Sequence, residues 1–274
     1  MNDIEVPDWE TFREKVKELR RKFPDESSAL LFRGQGDSKW PLTTTLERSD
    51  GGPMLFCDYY ALICASMGPE LRTLAGVEVP DYDHRLGSTR FLDPSLLYEV
   101  GDPFPMHVYR YMAYLRHFGF PSPLLDWSRS PFVAAFFAFR GDPLGNKPGK
   151  RSIFAYCENR AAVKGGTLGQ PLIRAMGPYV QTHERHFRQR CDYTICGNFD
   201  KNYGWHFDSH QVVFDHAHPM HDPLWKFNLP SSEWEKVFRD LSDYNLSAFS
   251  LFGTQESLLE TLWSQEYLLR RPKR

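Results

Sequence analysis

The chain has 274 residues, 41% hydrophobic, 15% aromatic and 25% charged, with a formal net charge of −2. That apolar and aromatic content offsets the entropy of ordering and excludes a disordered chain. No apolar run approaches the ~20 residues that cross a bilayer, the opening MNDIEVPDWE lacks a signal peptide's apolar stretch, and near-neutral charge argues against a protein that wraps duplex DNA. The five cysteines (Cys57, Cys64, Cys157, Cys191 and Cys196) are odd in number and form no CxxC pair, which fits reduced thiols. A cytoplasmic globular protein without a membrane partner is the expectation.

In chain order, Asp8 reads as an N-cap for a helix carrying Trp9, Phe12, Val16 and Leu19, with basic residues at its end and Pro24 as its stop. Ser28 to Phe32 reads as a buried strand that ends at Arg33 and Gly34. Residues 49–105, rich in Gly, Pro and Asp, read as an irregular or partly helical insert in a single domain spanning 1–274. A helix is expected over His107–His117, burying Tyr111, Met112 and Leu115 and ending at Gly119. Ser130 followed by Pro131 opens a helix that is apolar all round to Phe139, hence central and buried. Strands are expected at Ser152–Cys157, Arg190–Ile195 and Gln211–Phe214. Ser232 and Glu235 suggest a capping box, and a last helix starts after Thr254. The fold class is therefore α+β, with mixed, mostly antiparallel strands, a buried central helix and helices at both termini.

Three segments offer chemistry. Phe32-Arg33-Gly34-Gln35-Gly36 places a guanidinium, whose planar donor fork suits phosphate or carboxylate, beside backbone that a ligand can approach. Asp126-Trp127-Ser128-Arg129-Ser130 brings an acid and two hydroxyls to the start of the buried helix, where free amides favour anions; Ser130 is alternatively spent as the cap. Glu184 to Arg190 is a charge run whose Glu184, Arg185 and Gln189 would approach Arg33 if their strands were neighbours, and is otherwise a solvated face. His216, His218 and His221 match no closed zinc spacing, so no metal is expected. A hydrolytic set of Ser128, Asp126 and His117 has no support in spacing.

Phe32-Arg33-Gly34-Gln35, Trp40-Pro41-Leu42, Leu46-Glu47-Arg48 and the run Leu115 to Ser128 (LRHFGFPSPLLDWS) resemble the FRG-domain family, named for its Phe-Arg-Gly motif. Arg185, Gln189 and Leu251-Phe252-Gly253 are similar to its later blocks. The chain departs from the family with Arg116 in place of Gln, and with Ser122-Pro123 in place of Thr-Arg, which removes a charge partner for Asp126. Phe32-Arg33-Gly34 and Ser128-Arg129-Ser130, followed by Ala134 and Phe137, are also similar to the first two elements of Arg-Ser-Glu type ADP-ribosyltransferases. That similarity implies a split sheet and NAD as substrate. Arg33, Gly34, Gln35, His117, Asp126, Ser128 and Ser130 would bind the dinucleotide, with Ser128, Glu184 and Gln189 as catalytic candidates. Two functions stay open. One is an NAD-consuming effector, a toxin or antiphage factor restrained by an antitoxin, that transfers ADP-ribose to protein, RNA or DNA. The other is a non-catalytic module binding a nucleotide, a nucleic acid or a protein.

Overall fold

Strands β1 (Asn2–Glu5), β2 (Leu30–Gln35), β3 (Leu125–Ser128), β4 (Lys150–Cys157), β5 (Leu172–Ala175), β6 (Cys191–Asp200), β7 (Gly204–Phe207) and β8 (Leu224–Pro230) form one open mixed sheet. Its order is β1, β8, β4, β2, β3, β6, β5, with β7 also on β6. β1 runs parallel to β8; the remaining pairings are antiparallel. The computed structural model describes residues 2–23, 30–49, 53–96, 103–141, 147–158, 169–177, 180–215 and 223–269. Pro24, Ser28 and the His216, His218 and His221 run lie outside them.

The sheet is buried on both sides because its strands alternate two apolar sets. Leu30, Phe32, Ile153, Ala155 and Phe227 face the helices Trp9–Lys22, Pro131–Phe139 and Trp234–Asp243. Leu31, Phe154, Tyr156 and Trp127 face the opposite core with Phe214. Asp8 caps the first helix, its Oδ1 accepting the Thr11 amide at 2.7 Å, and Trp9, Phe12, Val16 and Leu19 are buried as their spacing predicts. The central helix starts at Pro131 behind the Ser130 cap and is buried almost throughout. It lies so close to β2 that a Cβ built on Gly34 would stand 1.9 Å from the Ala134 carbonyl oxygen. Helix Met106–His117 buries Tyr111, Met112 and Leu115 in a further core, which it shares with Phe56, Tyr59 and Tyr60 of the insert. Where described, the insert is helical at Phe56–Ala61, Gly68–Ala75 and His84–Ser88.

The chain is α+β, and three local expectations change. Gln211–Phe214 is not a strand but part of helix His210–Asp215; a four-residue apolar run carries no period able to separate the two. The Ser232–Glu235 capping box does not form. Ser231–Glu233 is a 3₁₀ turn, the helix starts at Trp234 without a side-chain cap, and Glu235 pairs with Arg239 at 2.9 Å. The sheet is one continuous path rather than a split pair. No described helix is long and apolar enough to cross a membrane.

Candidate functional site

β2 and β3 pair at Phe32 and Ser128, and a cleft of about 790 Å³ opens where they meet the central helix. Arg33, Asp126 and Ser128 line it together with Arg48, Arg116 and Trp40. The Arg33 guanidinium is fixed from β3, its Nη1 donating to the Asp126 backbone oxygen at 2.8 Å, while its Nε is buried without a partner among the described residues. Burial lowers the Arg33 pKa to about 10; the Asp126 charge opposes that shift, and Arg116 and Arg48 add to it. The group stays cationic at neutral pH.

Arg116 Nη2 stands 2.7 Å from Asp126 Oδ2. The expected loss of a charge partner at position 123 is therefore made good from the last turn of the helix Met106–His117. Asp126 Oδ1 and Arg116 Nε are buried and have no hydrogen-bond partner among the described residues. Among the described lining residues, the guanidinium groups of Arg33, Arg48 and Arg116 meet a single carboxylate, Asp126, so the cleft is electropositive. Trp40, 57% exposed, and Phe137 supply its aromatic surface.

The hydroxyl pair has another use. Ser128 Oγ donates to the Gln189 carbonyl oxygen at 2.7 Å and accepts the Ser130 amide at 3.1 Å. Its only proton is thus committed inside the protein, and it shapes the turn from β3 into the helix. Ser130 is not on the cleft wall; its oxygen accepts the Val133 amide at 3.3 Å and is spent as the cap. Gln189 reaches the lining, but its side-chain amide donates to the Leu251 carbonyl oxygen at 3.2 Å. That bond ties the end of the helix Glu184–Arg188, just before β6, to the helix Ala248–Phe252.

Glu184 does not join the cleft: it is exposed and paired with Arg188 at 3.2 Å. Nor does His117, whose Nε2 lies 2.8 Å from the Tyr193 hydroxyl. Gly34 lines the wall but serves the approach of the helix rather than of a ligand. Gln35 donates to the Pro41 carbonyl oxygen at 3.1 Å, leaving its Oε1 buried and unpartnered beside the cleft. Behind Arg33, Thr194 Oγ1 contacts His210 Nε2 at 2.9 Å and accepts from Trp127 Nε1 at 2.8 Å. Burial, and then the Arg33 charge, push the His210 pKa down to about 3.

Sequence alone gives Trp40 and Arg48 no role and makes Arg116 a departure from the family pattern. Their signal was present in the Trp40-Pro41-Leu42 and Leu46-Glu47-Arg48 blocks, close after the Arg33 strand. Residues 28–146 match the family model for the FRG domain, the stretch that supplies Arg33, Trp40, Arg48, Arg116 and Asp126. No curated protein and no solved structure matches the chain.

Proposed function

This is an FRG-domain protein, and we propose that its cleft binds a nucleotide carrying a diphosphate, with NAD as the expected dinucleotide. One observation carries the reading: three guanidinium groups face one carboxylate in a cleft of about 790 Å³, inside the range of small-molecule sites. Arg33, Arg48 and Arg116 hold the phosphates, and Trp40 and Phe137 take a base. Recognition is favoured over transfer through Glu184 or Gln189, since the first pairs with Arg188 and the second bonds Leu251.

A second reading, NAD consumption, is favoured by the buried, unpartnered Asp126 Oδ1. In that reaction the ribose–nicotinamide C–N bond breaks, nicotinamide leaves neutral with the electron pair, and Asp126 stabilises the oxocarbenium-like ribose. An oxygen or nitrogen of water, protein or nucleic acid then forms the new bond and loses its proton to Asp126 or solvent.

Titration calorimetry with NAD and ADP-ribose tests the binding reading. Arg33→Ala will weaken binding by about 10–100-fold, the worth of a charge-assisted contact. Wild-type protein that binds neither compound sinks it. Nicotinamide release that disappears in Asp126→Asn makes the protein an enzyme; growth arrest on expression of wild type but not of Arg33→Ala would then identify a toxin.

A further inference from the structure

His117, His186 and Cys191 each offer one ligand atom, and these atoms lie within 4.8 Å of one another. They come from separate elements: the end of helix Met106–His117, the helix Glu184–Arg188 and the first residue of β6. Tyr193 lies two residues beyond Cys191 on the same strand, so both side chains project from one face. Its hydroxyl stands 2.8 Å from His117 Nε2 and 3.3 Å from His186 Nδ1. We propose that these four side chains form a tetrahedral zinc site beside the cleft.

Zinc binds nitrogen at about 2.0 Å and sulfur at about 2.3 Å, which separates tetrahedral ligands by about 3.3–3.8 Å. The two imidazole–hydroxyl distances are already near that scale, and the remaining donor atoms, within 4.8 Å of one another, draw together towards it. Two imidazoles and a thiolate select zinc over the oxygen-seeking magnesium or calcium. His186 and Cys191 are buried, whereas His117 is half-buried and Cys191 lines the cleft, so the ion enters from there. On binding, the Cys191 S–H and Tyr193 O–H bonds are replaced by S–Zn and O–Zn, and two protons go to solvent. All four positions are filled by the chain, which makes the site structural. No sequence spacing announces it, because His117 and Tyr193 lie 76 residues apart. The site is independent of the nucleotide reading and is tested without nucleotide.

Chelator-treated full-length protein is titrated with Co²⁺. One equivalent is expected to give the visible bands of tetrahedral cobalt and a near-ultraviolet thiolate-to-cobalt band, both abolished by Zn²⁺. Cys191→Ser loses the near-ultraviolet band, and Cys57→Ser keeps it. His186→Ala weakens uptake by at least about 100-fold, since even outer-sphere partners are worth about 10–100-fold. Zn²⁺, but not Mg²⁺, raises the melting temperature of wild type, a readout that does not depend on a variant folding. Folded wild type that gives no cobalt spectrum, or a Cys191→Ser spectrum identical to wild type, overturns the proposal and leaves the four groups a hydrogen-bond network.

Discussion

Gly34→Ala will destabilise the protein by at least about 3 kcal/mol, the upper end of what overpacking a core usually costs. The new methyl carbon would stand 1.9 Å from the Ala134 oxygen, 2.6 Å from the Ala138 nitrogen and 2.9 Å from the Ala134 carbonyl carbon. All three are backbone atoms, so no rotamer change relieves the clash. The central helix has to lift from β2, which opens the packing of Phe32 against Val133 and Ala134. Gly36→Ala is the control, because the nearest atoms there, in Trp40 and Ala138, begin at 3.7 Å. In urea unfolding, Gly34→Ala lowers the midpoint at unchanged slope and Gly36→Ala stays near wild type. Equal midpoints for the two variants would remove helix packing as the reason for a glycine beside Arg33.

Between pH 6.5 and 4.5 the protein will lose about 2 kcal/mol through His210 alone. Burial and the Arg33 charge lower this imidazole to about 3, against about 6.5 in an unfolded chain. A histidine held neutral in the folded state contributes fully above the unfolded pKa. As pH falls, the unfolded chain takes up a proton that the folded one refuses, and stability declines by about 1.4 kcal/mol per pH unit until the folded pKa is reached. His117, lowered to about 4 chiefly by burial, acts in the same direction over pH 6.5 to 4. Urea midpoints measured at pH 7, 5.5 and 4.5 check this, with His210→Gln expected to flatten the dependence. An identical slope in that variant would move the acid sensitivity elsewhere.

Short-range signals were legible in the chain. Asp8, Ser130 with Pro131 and Thr254 all act as caps where their neighbours suggest, because capping is settled within four residues. The meeting of Arg33 with the Asp126–Ser128 segment was also readable, through motif resemblance and the end of an apolar strand. The uses of Ser128 and Gln189 were not. Ser128 bonds a carbonyl 61 residues away and Gln189 one 62 residues away, and no local pattern encodes either. Arg116 shows the same gap: as a departure from the family pattern it carries no role, yet the fold turns it onto Asp126. β8, with Trp225, Phe227 and Leu229 alternating between Pro223 and Pro230, carries a period-two pattern that is legible in the sequence.

The strand order also sets a timetable. β2 pairs with β3, which begins at Leu125, and with β4, which begins at Lys150, while β1 waits for β8, which begins at Leu224. A chain leaving the ribosome therefore carries Leu30, Leu31 and Phe32 with both strand edges bare until more than ninety further residues have emerged. Such non-local pairing is slow and offers an aggregation-prone edge meanwhile, which is work for a holding chaperone. It also means that the Arg33 cleft is complete only once Gln189 and Cys191 have been made.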